Sequence, residues 1–364
     1  MTGAVTESSE GLAPAITVRP TATPAPGRQA AAQEPGPART FRTLRRTWLL
    51  GTALLSAAAF AGAIVLAPDG SEQPGRALGT LLFLGSSVHV ASTGWFFTLP
   101  EVRAHAAVHR GRYVIAPAAL ILGTALTAVI VPFEQLQWAL LVYLAWQFFH
   151  FQKQNLGMAA LAGVAQKTGS VRPLERRAIM LAGAGGIAAL LVHPELLQLG
   201  VDPPLRFLFP VAFAVFASGV AIGLYALARR DGRPIAFTSI YLISLLFFTP
   251  VFVFDSPYAA VAGLTIAHGY QYLLIVGLVS GAPRRGRSGL SGLCIMATIA
   301  LAGGIALHQA SHMHGSPLIW ERALYGAYLG AVMAHFVIDA GLWRLRDEFP
   351  RRFLTASVPY LLKP

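Results

Sequence analysis

The side chains in this sequence best able to do chemistry are imidazoles. Its 364 residues include 10 histidines and a single cysteine, Cys294. That count excludes a disulfide framework and any cysteine-based zinc or iron–sulfur site. Most of the histidines lie in or beside long apolar runs, where an ionisable group is costly and points to function. His105 and His109 stand four residues apart, as do His335 and Asp339, so each pair shares one face of a helix and can grip one ion. Gln147, His150 and Gln154 share a face in one apolar run, and His268, Gln271 and Tyr272 share a face in another. Amide and phenol groups at these offsets are suited to orient imidazoles by hydrogen bonding. Imidazole with carboxylate and open positions suits iron, manganese or zinc.

The elements that carry these residues are set by composition. With 55% hydrophobic and only 12% charged residues, the chain is too apolar for a water-facing shell, and lipid is its simpler solvent. Apolar segments near the length needed to cross a hydrocarbon core of about 30 Å fall at 47–67, 77–99, 114–132, 135–152, 178–200, 205–228, 234–254, 257–280, 289–307 and 318–344. The expected fold is therefore an all-α, polytopic integral membrane protein with about ten transmembrane helices. Residues 1–40 are rich in Ala, Pro, Thr and Gly and read as a disordered tail. Residues 41–346 form the transmembrane domain, and 347–364 form a C-terminal tail.

The net charge of +12 would ordinarily raise nucleic acid as a partner, but the basic residues sit in short clusters between apolar runs. That is membrane topology rather than a binding stripe, and no nucleic acid is expected. With the N-terminus cytoplasmic, only Arg76, Arg206 and Arg322 of the 28 basic residues fall in outer loops, leaving 25 inside. The positive-inside rule thus puts both termini in the cytoplasm, and Ala-, Arg-, Gly- and Pro-rich usage points to a bacterial inner membrane. Gly219 with Gly223, and Gly326 with Gly330, have the spacing that lets helix backbones approach closely in lipid. Gly183, Gly185 and Ala188 match a dinucleotide fingerprint by letter only, because no strand precedes them.

This topology assigns each histidine a depth. Counted along their spans, His89, His268 and His335 lie about nine to twelve residues from the cytoplasmic ends. His150 lies at the cytoplasmic end of its span, and His105 and His109 lie just past the end of theirs. Asp339 is one turn deeper toward the cytoplasm than His335. Six histidines and one aspartate therefore converge on the cytoplasmic half, as a ligand pool of His89, His105, His109, His150, His268, His335 and Asp339. Each has a plainer reading beside it. His89, near Ser86, Ser87 and Thr93, also reads as interhelical hydrogen-bonding glue. His105 and His109, beside Arg110 and Arg112, also read as a basic face toward anionic lipid, His150 as an interfacial side chain, and Asp339 as a partner of Arg344 or Arg346. A second group, His308, His312 and His314, falls on the outer side and is a lesser metal candidate.

Three chemistries fit histidines at membrane depth without thiolates: a non-haem metal centre acting on a lipophilic substrate, a haem held between helices, or a proton or metal-ion path in a transporter. Haem ligation uses one histidine from each of two helices and leaves the His105/His109 pair and Asp339 unexplained. A transporter site belongs near the midplane between repeats, whereas this cluster is offset toward one face. Helices bearing single intramembrane histidines, together with the run His335-Phe336-Val337-Ile338-Asp339, resemble polytopic bacterial membrane oxygenases with histidine-rich iron sites. The carotene-cleaving Brp/Blh-type proteins are the nearer likeness and the membrane desaturase/hydroxylase superfamily a more distant one. Of the desaturase boxes, only the His105–His109 spacing occurs and no HxxHH is present. The resemblance implies an oxygenase, hydroxylase or desaturase with one or two non-haem irons, a lipid or other hydrophobic substrate, and a cytoplasmic electron donor. Zinc and manganese are lesser fits, and haem is not expected. Transport coupled to histidine protonation or metal ions is the alternative.

Overall fold

With no water in a hydrocarbon core to satisfy backbone N–H and C=O groups, a chain this apolar must satisfy them within its own helices. The computed structural model describes residues 37–69, 73–201, 203–284 and 286–363, and among them it contains helices and no strand. The tail expected over 1–40 lies outside the described residues as far as 36, and its last residues already belong to the first helix. In chain order the helices are α1 (Pro37–Val65), α2 (Arg76–Thr98), α3 (Pro100–Val108), α4 (Gly111–Ile130), α5 (Phe133–Ala165), α6 (Pro173–Val192) and α7 (Phe209–Ala228). They continue with α8 (Ile235–Leu245), α9 (Thr249–Val253), α10 (Tyr258–Ser280), α11 (Gly289–Ser311), α12 (Ile319–Leu342), α13 (Glu348–Ser357) and α14 (Pro359–Leu362).

Seven of these, α1, α2, α4, α7, α10, α11 and α12, are long and apolar enough to cross a membrane among the described residues. The other three expected spans are helical but do not qualify by length and composition alone. Helix α5 runs 33 residues and is interrupted by the polar stretch Gln152-Lys153-Gln154-Asn155. Helix α6 carries Glu175, Arg176 and Arg177 in its first turns. The stretch 234–254 breaks between α8 and α9, where Pro250 enters the first turn of α9 and cannot extend the preceding ladder.

Helix α10 is the centre of the bundle: 72% of its most apolar stretch is buried, against 17% in α4 and α11. Close helix contacts are made where glycine removes the side chain. A Cβ on Gly326 would lie 2.3 Å from the Thr124 carbonyl oxygen, and one on Gly330 would lie 2.5 Å from Ile121 Cα, so α12 seats directly on α4. Gly219 meets the backbone of Ala182 on α6 in the same way, whereas Gly223 faces Leu245 of α8. Gly183 and Gly185 sit inside α6 and pack against Gln152 and the backbone of Phe216.

Connecting segments meet at two ends. At one, Arg284 donates to Glu101 Oε1 at 2.5 Å and to Ser357 Oγ at 2.9 Å, and Phe41 of α1 packs on Tyr360 of α14. The fully buried Arg230 is doubly bonded to Glu175, at 3.0 and 2.7 Å, and donates to the Thr168 and Gly169 carbonyls. At the opposite end, Arg322 donates to the Val131 carbonyl at 2.7 Å. Glu101, in the first turn of α3, is drawn to Arg284. Leu99 is the cap residue of α3, with Pro100 in its first turn.

Candidate metal centre

Four helices each bring one imidazole to a common point: His89 on α2, His150 on α5, His268 on α10 and His335 on α12. Their ring centres form a closed quadrilateral, 4.9 Å from His89 to His268, 5.1 Å from His268 to His150, 5.3 Å from His150 to His335 and 5.1 Å from His335 to His89. An imidazole bound to an ion through nitrogen at about 2.1 Å places its ring centre about 3.2 Å from that ion, so rings arranged tetrahedrally about it stand about 5 Å apart. The four adjacent-ring distances lie close to that value. Donor atoms of His89, His268 and His335 lie within 4.8 Å of one another, as do those of His150, His335 and Asp339.

The local structure of α2 and α10 explains how two of these rings meet. Helix α2 contains a π-helical turn over Leu84–Val88 directly before His89, then tightens to a 3-10 turn over Thr93–Thr98. Helix α10 opens with another π-helical turn, Tyr258–Ala262. Such turns insert a residue into the helical register, re-aim the side chains that follow, and are frequent at functional sites. Gly85, one turn before His89, touches α10 backbone to backbone: a Cβ there would lie 2.7 Å from Ile266 Cα, and one on Gly269 would lie 2.0 Å from the Gly85 carbonyl oxygen. That crossing holds His89 against His268.

Both ring nitrogens of His89 and of His268, and Nε2 of His150 and of His335, are buried and have no hydrogen-bond partner among the described residues. A buried polar atom left without a partner costs about 1–3 kcal/mol. An ion takes one nitrogen from each ring, so four of these six, one per imidazole, can be met by a common partner. A divalent ion that prefers nitrogen donors supplies one, and the residues present fit such an ion. A porphyrin does not fit, because imidazoles only 5.1 Å apart occupy the space its ring would need.

The surroundings orient the imidazoles. Phe151 stacks on His268 at 4.0 Å, and Phe336 stacks on His150 at 4.4 Å. His335 Nδ1 lies 2.7 Å from Thr93 Oγ1, which lies 2.8 Å from the Tyr272 hydroxyl, which in turn donates to Asp339 Oδ1 at 2.8 Å. The other Asp339 oxygen is 3.6 Å from His335 Nε2. Asp339 thus turns inward, while Arg344 and Arg346, its alternative partners by sequence, pair with Asp347. Gln154 donates to the His268 carbonyl at 2.9 Å and to Gln271 Oε1 at 3.1 Å, and Gln271 donates to Ser56. These two amides brace the backbone of α10 rather than an imidazole nitrogen. Among the described residues, no hydrogen bond joins Gln147 to this group.

The remaining candidates from sequence lie elsewhere. His105 and His109 sit on and just after α3, with rings 4.3 Å apart, and His105 stacks flat on Phe349 of α13 at 4.0 Å. Partial burial, then His109 and Arg112, lower the pKa of the His105 imidazole. Neither joins the His89–His268 group. His308 and His312 pair at the end of α11, with His312 Nδ1 2.7 Å from the His308 carbonyl oxygen. His314 packs instead against Phe133 and Tyr325, so the three do not converge. Thr93 is the central residue that sequence reasoning passed over, taken only as a polar neighbour of His89. The signal was its offset of four from His89, one turn along the same face.

No protein-family model, curated protein or solved structure matches this chain.

Proposed function

We propose that this is a ten-span bacterial inner-membrane protein, with both termini cytoplasmic, that binds one non-haem iron at His89, His150, His268 and His335. Its activity would be that of an oxygenase, hydroxylase or desaturase on a lipophilic substrate, with electrons from a cytoplasmic donor. The observation that carries the reading is the ring of four imidazoles with six buried, unpartnered nitrogens. A single ion is supported by His335, which belongs to both donor groups and has its Nδ1 beside Thr93, leaving Nε2 to serve one centre. Imidazole donors suit iron, zinc, copper and nickel alike; the resemblance to iron-dependent membrane oxygenases selects iron.

When bound, iron would supply dioxygen activation. The chain's own residues do the rest. The four imidazoles fix the ion, and Phe151 and Phe336 hold two of the rings in plane contact. His89, His268 and His335 are 1–3% exposed and keep water out. His150 is the least covered of the four, and the half-exposed Trp146 and Phe149 flank it on α5. A lipophilic molecule would therefore approach from the bilayer on the α5 side. Meeting of the end segments through Arg284, Glu101, Ser357, Phe41 and Tyr360 supports an even number of crossings.

The test is metal analysis and an optical spectrum on detergent-purified protein, with His268→Ala and His335→Ala beside the wild type. One iron per chain, no Soret band and loss of iron in both variants are expected. Protein that holds no stoichiometric metal after anaerobic purification with iron supplied would overturn the reading and favour histidine-dependent transport.

A further inference from the structure

We propose that Thr93, Tyr272 and Asp339 form a one-directional hydrogen-bond chain that fixes the tautomer of His335 and so aims its free nitrogen at the metal. The inference rests on the metal reading above and assigns positioning residues to that same site. Its basis is proton counting. Each hydroxyl has one proton to donate, and an ionised carboxylate only accepts. Tyr272 spends its proton on Asp339 Oδ1. The 2.8 Å contact between Tyr272 and Thr93 must then be made with the proton of Thr93, since two oxygens cannot sit at that distance with no hydrogen between them. Thr93 Oγ1 has no proton left and accepts from His335 across 2.7 Å. His335 Nδ1 therefore carries the hydrogen, and Nε2, buried and without a hydrogen-bond partner, is left with its lone pair free for the metal.

All four members are buried, so no solvent competes for these bonds. They come from three helices: Thr93 from α2, Tyr272 from α10, and His335 with Asp339 from α12. The chain thereby also locks the three helices at one depth. Partners of this kind around metal-bound imidazoles raise ligand basicity, and losing one typically costs about 10–100-fold in metal affinity.

The experiment is titration of the purified protein with cobalt(II), whose visible bands report coordination geometry, and with iron(II) against a chelator. Wild type, Thr93→Val, Thr93→Ser, Tyr272→Phe and the Thr93→Val/Tyr272→Phe pair are compared. Thr93→Val should weaken binding about 10–100-fold and shift the cobalt bands, and Thr93→Ser should restore both. Tyr272→Phe should also weaken binding, because it frees Thr93 to donate to Nδ1 and moves the proton to Nε2. The double variant should be no worse than the weaker single one, because a broken chain cannot be broken twice. Should Thr93→Val fail to fold, Tyr272→Phe, which removes one oxygen only, carries the test. Wild-type affinity and unchanged bands in Thr93→Val or Tyr272→Phe, with the wild type loading normally, would overturn the chain and leave the metal site standing. A wild type that takes up neither ion would overturn the metal site itself.

Discussion

Adding one methyl group at Gly269 should push α2 off α10 and separate His89 from the other imidazoles. The Cβ of Gly269→Ala would fall 2.0 Å from the Gly85 carbonyl oxygen and 2.6 Å from Gly85 Cα. Ordinary contact for such atoms is about 3.5 Å, so the two backbones must part by more than about 1 Å. Nothing flexible stands between them, because both clashing groups are main chain. His89 is one turn from Gly85, so most of that displacement reaches its ring. Ligand distances in a metal site tolerate only about 0.2 Å, and His89 would be lost from the set. The expected result is a fall in iron affinity of at least about tenfold, the low end of what loss of a supporting interaction costs. A stability loss of about 1–3 kcal/mol from overpacking should accompany it. The assay is chelator competition on monodisperse protein, with Gly277→Ala as control. Gly277 lies on the same helix, and a Cβ there meets nothing within 4 Å, so that variant should bind like the wild type. Equal affinity for Gly269→Ala and Gly277→Ala would refute the claim that the Gly85–Gly269 crossing sets the His89–His268 distance.

Three further outcomes are expected. His105→Ala/His109→Ala should keep the wild-type iron content by metal analysis, because neither imidazole joins the group of buried donors. Arg230→Met leaves the fully buried Glu175 without its partner and should cost about 3–5 kcal/mol in thermal unfolding, with Glu175→Met in the same chain recovering part of it. In a Cys294→Ser background, His314→Cys should react with an impermeant maleimide on intact spheroplasts, while Asp231→Cys, whose side chain is fully exposed, should react only after lysis. The reverse pattern would overturn the orientation, and labelling of both from one side would overturn the ten-span topology.

Much of the helical layout was legible in the sequence because hydrocarbon thickness imposes a length, and backbone polarity in lipid imposes a helix. The glycine pair of α12 could likewise be read from spacing, since only a missing side chain lets backbones touch. Counting along an apolar span also gives an approximate depth, which is why His89, His268 and His335 could be read at similar depths, and His150 and Asp339 in the same half. Only the structure brings His150 level with His268 and His335. The same count put His105 and His109 in that half too, yet neither joins the buried group. Depth is one coordinate of three. Where a residue lies across the membrane plane depends on which helices are neighbours and how each is rotated, and no hydrophobic period records that. Rotation in α2 turns on a π-helical turn at Leu84–Val88, and the pairing of α2 with α10 turns on Gly85 meeting Gly269. The site therefore depends on tertiary structure: His105 is carried out to stack on Phe349, and Thr93 is carried in to meet His335 and Tyr272. Only backbone contacts between helices far apart in the chain could decide which imidazoles share a centre.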